Sequence, residues 1–98
     1  MTYDLAFLEL ALKEWKKLDA TVREQFKARL RDRLVSPRVP AAKLHGHPDR
    51  YKIKLKSIGY RLVYEVRDHQ ITIVVVAVGK RERDAVYLAA AKRQLPSA

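Results

Sequence analysis

Cysteine is absent from the 98 residues, which excludes a disulfide framework, a thiolate metal site and a cysteine nucleophile, and fits a reducing compartment. Histidine occurs only three times. His45 and His47 have ligand-like spacing, but Pro48 stands beside them and no carboxylate or cysteine cluster completes a site, and His69 falls in a turn. Neither metal-assisted hydrolysis nor a two-histidine nuclease is expected, and no metal or cofactor is assigned. Long apolar runs are missing too: the longest, at positions 71–78, is too short to span a bilayer. Asp4 and Glu9 stand where a signal peptide would need a basic start. A cytoplasmic chain with no membrane contact is expected.

Acidic residues are also scarce, 11 against 21 Lys and Arg, for a net charge of +10. Such a balance suggests nucleic acid, or an acidic protein imitating it, before a small neutral ligand. The excess is uneven: residues 41–98 hold twelve basic against five acidic side chains, residues 1–40 nine against six. The length suits a single domain, 1–98, with one modest core.

Tyr3, Leu5 and Phe7 alternate in a short first strand over residues 2–7. Leu8, Leu12, Trp15 and Leu18 then recur at spacings of three and four, predicting a helix whose opposite side bears Lys13, Lys16 and Lys17. A second helix follows, capped by Asp19 or Thr21, with Glu24 completing a capping box after Thr21. Its core stripe is Val22, Phe26, Leu30 and Leu34, and Ser36-Pro37 ends it. Residues 38–49, rich in proline around Gly46, read as a loop.

The most informative stretch is residues 51–64, a hairpin without an acidic residue. With the turn at residues 56–59, Leu55 faces Tyr60, Ile53 faces Leu62 and Tyr51 faces Tyr64, which gathers the apolar set on one face. Lys52, Lys54 and Arg61 share the other, where their mutual repulsion is tolerable if an anion is expected. Residues 71–78 form a central strand covered on both sides. A tight connection at Asp68-His69 would set Arg61 opposite Val76 and extend the basic row toward Lys80 and Arg81. Asp84 caps a final helix reaching Leu95, with Val86, Ala90 and Leu95 inward and Tyr87 in its first turn. The order βααβββα describes an α+β fold, two N-terminal helices on one face of an antiparallel-rich sheet and the cations on the more open face.

Lys52, Lys54, Arg61 and Arg81 can surround one phosphodiester, and cations aimed at a phosphorane stabilise the charge developing in the transition state. Close positive neighbours depress a Lys or Tyr pKa, so Lys54 or Tyr87 can serve as a base. The same residues also fit a plain nucleic-acid-binding surface, or a solvated strand edge whose lysines block aggregation. Tyr60, Tyr64 and Trp15 read as core. Tyr87 fits either an ordinary surface tyrosine or one that stacks on a base.

Lys13-Glu14-Trp15 with Leu18, Thr21-Val22-Arg23-Glu24-Gln25, Ser36-Pro37-Arg38, Tyr51-Lys52-Ile53-Lys54-Leu55, Gly59-Tyr60-Arg61-Leu62-Val63-Tyr64 and Val78-Gly79-Lys80-Arg81-Glu82-Arg83 together resemble the RelE toxins of bacterial type II toxin–antitoxin systems, within the RelE/ParE superfamily. The likeness runs from about residue 3 to residue 95. It implies a small microbial-ribonuclease-like fold and a metal-independent endoribonuclease that cuts mRNA in the ribosomal A site. Attack by the ribose 2′-hydroxyl would leave a 2′,3′-cyclic phosphate and a free 5′-hydroxyl. Lys52, Lys54, Arg61, Arg81 and Tyr87 match the family's functional positions: Lys54 or Tyr87 would activate the 2′-hydroxyl, Lys52 and Arg61 would stabilise the phosphorane, and Arg81 would serve the leaving oxygen. Lys13, Lys16, Lys17, Lys56, Lys80 and Arg83 would extend the RNA-binding surface. Close relatives can carry a basic residue where this chain has His45. The implied partners are an acidic RelB-like antitoxin, the 70S ribosome with its 16S rRNA and mRNA, and operator DNA only through the antitoxin. The alternatives are a ParE-like toxin that inhibits DNA gyrase without this cation-and-tyrosine set, and a non-enzymatic nucleic-acid-binding module.

Overall fold

A computed structural model describes residues 2–95. Strand β1 spans Asp4–Phe7, helices α1 and α2 span Glu9–Lys16 and Ala20–Val35, strands β2, β3 and β4 span Arg50–Leu55, Tyr60–Arg67 and Thr72–Lys80, and helix α3 spans Ala85–Lys92. The sheet runs β1-β4-β3-β2. β1 lies parallel to β4, with Asp4 beside Thr72 and Phe7 beside Val75, and the remaining pairs are antiparallel. The result is the α+β order expected, in a mixed sheet.

Alternation decides the register of the hairpin. Leu55 faces Tyr60, Ile53 faces Leu62 and Tyr51 faces Tyr64, as their common apolar face requires. Gly59 closes the turn at φ +70, and its amide donates to the Leu55 carbonyl at 2.9 Å.

The next connection differs from expectation. It occupies a 3-10 turn, Asp68–Gln70, followed by Ile71 at φ +49, and β4 carries an extra residue, Val76, between the partners of Val63 and Tyr64. Arg61 therefore stands opposite Gly79, not Val76. The bulge also sets Val76 and Ala77 on the same side of the sheet.

One face carries the principal core: Ile53, Leu55, Leu62, Tyr64, Val66, Ile73, Val75 and Val78 pack against Val22, Phe26 and Leu30 of α2 and Ala11 and Trp15 of α1. The α2 stripe matches its periodicity, with Leu34 half-buried. On α1 the inward line is Leu8, Ala11, Trp15 and Leu18, whereas Leu12 is exposed. The same three-and-four spacing runs through Ala11, whose small side chain lets the helix approach β4.

The other face carries a smaller cluster, in which Val63, Val76 and Ala77 meet Val86 and Ala90 of α3. Neither expected side-chain cap forms: α2 follows Asp19 without a capping bond, Thr21 lies within its first turn, and Glu24 pairs with Lys27 at 3.0 Å instead. Asp84 precedes α3 in a left-handed conformation and makes no side-chain cap; the Ala85 amide donates to the Glu82 carbonyl at 2.7 Å instead. That helix stops at Lys92, short of Leu95, because Arg93 turns to extended backbone.

Candidate active site

Where α3 leaves the second sheet face open, a pocket of about 120 Å³ forms between the β2–β3 hairpin and the chain leaving β4. Lys54 and Arg61, directly opposed across the hairpin, face Lys80, Arg81, Asp84 and Tyr87 there. Pairing rules place Lys54 and Arg61; the Arg81 amide, donating to the Gly59 carbonyl at 2.7 Å, ties the far wall to the hairpin turn. Arg83 and Asp84 follow in consecutive left-handed conformations, φ +46 and +60. Such backbone costs free energy for residues with a side chain, and it swings the chain into α3 so that Tyr87 faces the cations.

The structure thus gathers four of the five expected catalytic residues, Lys54, Arg61, Arg81 and Tyr87, in one pocket. Lys52 lies one step along the same face of β2, in an adjoining basic cleft that also includes Lys54 and Lys56. Of the expected RNA-binding residues, Lys80 lines the pocket, and Arg83 is exposed on the turn below it. Lys13, Lys16 and Lys17 are not brought in. They remain exposed along α1, a helix whose inward residues join the core on the opposite sheet face, and Lys13 stands 3.9 Å from Glu9.

Electrostatics divides the two candidate bases. Repulsion from Lys52, followed by desolvation, Arg61 and Lys56, pulls the Lys54 pKa below its ordinary value. Tyr87 moves the opposite way from expectation: burial pushes its pKa up, and the Arg61 charge only partly opposes this. Arg61 also approaches the hydroxyl closely enough to help hold its pKa down, yet no hydrogen bond of ordinary geometry reaches the buried Tyr87 hydroxyl from the described residues. Arg61 itself is only 7% exposed and donates to the Tyr60 carbonyl at 3.0 Å. A buried donor without a partner facing a cluster of cations suits an oxygen-rich anion.

Sequence reasoning missed several contributors. Asp84, expected only as a cap, lines the pocket as the one acid among four cations; its place midway between Arg81 and Tyr87 is the available signal. Arg29 and Arg33, one turn apart on α2, border the adjoining cleft. The histidines lie elsewhere: His45 and His47 border a larger cavity of about 440 Å³ that shares no residue with the pocket. His47 is 3.5 Å from Glu65, which forms a buried ion pair with Arg50 at 2.9 Å. No helix among the described residues is long and apolar enough to cross a membrane.

A protein family described as the ParE toxin of type II toxin–antitoxin system, parDE, matches residues 5–85. The chain is 59% identical over 95 residues to the mRNA interferase toxin RelE of Escherichia coli K12, covering 97% of this chain and 100% of that one. A free-state mutant of E. coli toxin RelE superposes with a TM-score of 0.88 at 57% identity, covering 97% and 100% of the two chains. The toxin in the intact E. coli RelBE toxin–antitoxin complex gives 0.79 at 59% identity, over 83% and 99%.

Proposed function

The chain belongs to the RelE toxins of type II toxin–antitoxin systems; it is an mRNA interferase, and we propose that it cuts messages held in the ribosomal A site by attack of a ribose 2′-hydroxyl on the adjacent phosphate. The observation carrying this reading is the convergence of Lys54, Arg61, Arg81 and Tyr87 on one small pocket. A ParE-like gyrase inhibitor would not need that set, and the near-full-length identity is to a RelE toxin. Its partner is a RelB-like antitoxin, as in the RelBE complex, and a net charge of +10 favours an acidic one. Action on ribosome-bound message would take place in the cytoplasm, and residues 1–98 are read as one toxin domain.

In the proposed reaction Lys54 is the general base, because its neighbours favour the neutral amine. It takes the 2′-hydroxyl proton as that oxygen bonds to phosphorus. Arg61 and Lys52 stabilise the phosphorane, and Arg81 holds the leaving 5′-oxygen. As the P–O5′ bond breaks, that oxygen takes a proton from solvent, giving a 2′,3′-cyclic phosphate and a 5′-hydroxyl. Tyr87 retains its proton near neutral pH and donates a hydrogen bond to a ribose or phosphate oxygen, or stacks on a base. Nothing in the pocket aligns the RNA strand by itself, so the ribosome supplies the in-line geometry.

The test uses one message in two states. Ribosome-bound mRNA with an empty A site should be cut efficiently, the same naked RNA poorly, and a message 2′-deoxy at the attacking ribose not at all. Equal cutting of naked and bound RNA at matched concentration would reject ribosome dependence.

A further inference from the structure

β2 is an edge strand, and beside it runs a basic cleft of about 290 Å³ lined by Arg29, Arg33, Lys52, Lys54 and Lys56 with the two alanines of the 3-10 turn Pro40–Ala42. No acidic side chain borders it. Two of the cations come from α2, so helix and strand bring charge to the same groove from different elements. Arg33 is pinned: its guanidinium donates to the Tyr64 hydroxyl at 2.9 Å and the Lys52 carbonyl at 3.2 Å, with the Tyr64 ring centre 5.7 Å away. Arg29, one turn earlier, is exposed and has no hydrogen-bond or ion-pair partner among the described residues. Lys54 borders both this cleft and the pocket of the proposed reaction.

Building on the nuclease reading above, we propose that this cleft is a second phosphate subsite, taking the phosphodiester next to the scissile one, with Arg29 as its principal free ligand and Arg33 as a fixed positive wall. The dimensions agree. Alternate residues of a strand project roughly 7 Å apart, about one nucleotide step along an extended backbone, so a cleft that begins at Lys54 and runs along β2 lies within one phosphate's reach of the pocket. A positively charged groove that tracks successive phosphates is how proteins hold single strands without reading their sequence. The lining offers cations and alanine methyl groups but no large apolar side chain, which suits phosphate better than the apolar side chains of a bound peptide. Repulsion within the row, already visible in the lowered pKa of Lys54, is relieved when a second anion binds.

The test compares the wild-type protein with Arg29→Gln and Arg29→Glu, after matched thermal melts, because Arg29 is exposed on a helix and its replacement leaves the core untouched. On ribosome-bound message, charge reversal should raise KM roughly tenfold with kcat within about twofold, and Arg29→Gln should flatten the log KM against log salt slope by about 0.7. In a second arm, short oligoribonucleotides made non-cleavable by a 2′-deoxy sugar are titrated against each protein. Wild type should bind more tightly when a second phosphodiester is added beside the first, and Arg29→Glu should not. Unchanged KM and salt slope in a variant, alongside a cleaving wild type, would overturn the subsite. So would a loss seen equally with message-free ribosomes, which would assign the phosphate to ribosomal RNA, or a loss confined to antitoxin binding. Failure of wild type to cut would instead remove the nuclease reading, and the oligonucleotide arm would still decide the cleft.

Discussion

The Arg93 guanidinium grips the Glu14 carboxylate through both oxygens, at 2.8 and 3.0 Å, and so ties the end of α3 to α1 across the sheet. Beyond the end of β1, the β4 backbone has lost its partner strand. Here the Arg93 side chain donates to the Val76 carbonyl at 2.9 Å, and Glu14 accepts from the Val78 amide at 3.2 Å. One ion pair therefore finishes an open sheet edge and fastens the helix that carries Tyr87.

Glu14→Gln should loosen that helix selectively. Losing a charge-assisted contact costs about 1–2 kcal/mol, and hydrogen exchange should accelerate in α3 well before it does in β3. Uniform acceleration through both elements would show that the pair supports the whole fold and not this helix in particular.

Arg81→Ala should lower kcat on ribosome-bound message about a hundredfold, as expected from removing one transition-state contact. Arg81 is exposed, so circular dichroism and melting temperature should barely change. A folded variant of full toxicity would remove Arg81 from the site. Arg61→Ala should be at least as damaging to rate but is a poorer test of chemistry alone, because Arg61 is largely covered.

Lys52 is the largest cause of the lowered Lys54 pKa. If Lys54 works as the neutral base, activity rises with pH as its proton is lost. Lys52→Met should then move that limb of the kcat profile to higher pH, because the ammonium form of Lys54 no longer meets its strongest repulsion. The direction is diagnostic: a limb that stays in place while kcat falls would assign Lys52 to phosphorane contact and the titration to another group.

Arg50 and Glu65 test burial. Arg50 bonds Glu65 at 2.9 Å, and it also donates to the Ala90 and Arg93 carbonyls at the end of α3. Arg50→Met leaves the Glu65 carboxylate largely buried, with Arg67 at 3.2 Å and His47 at 3.5 Å still beside it, and should cost about 1–3 kcal/mol in denaturant unfolding. Arg50→Met with Glu65→Leu should recover much of that loss. A double variant no more stable than the single would mean that the helix-end carbonyls, not the weakened pairing of the Glu65 carboxylate, set the penalty.

The hairpin was legible because alternation leaves a single register that buries Ile53, Leu55, Leu62 and Tyr64 together, and sets Lys54 and Arg61 on the opposite face. Local periodicity likewise placed Val22, Phe26 and Leu30. What local pattern does not encode is distance. An extra residue in β4 changes no side-chain type, so nothing marked Val76 as a bulge, and Arg61 was set opposite the wrong partner. Asp84 has the residue type of a helix cap, but its left-handed backbone is visible only in three dimensions, where the residue lines the pocket and makes no cap. The pKa of Tyr87 was read from the charge around it, whereas burial, contributed by residues distant in sequence, outweighs that charge.

The parallel pairing of β1 with β4 also bears on synthesis. The first strand waits for a partner made long after it, beyond both α1–α2 and the β2–β3 hairpin, and Arg81 and Tyr87 are made later still. Pairings this remote in sequence form slowly, and an unfinished chain holds neither a complete sheet nor a complete pocket. A message-cutting protein built this way has no finished fold until β4 and α3 have been made, so the topology sets the earliest point at which it can cut.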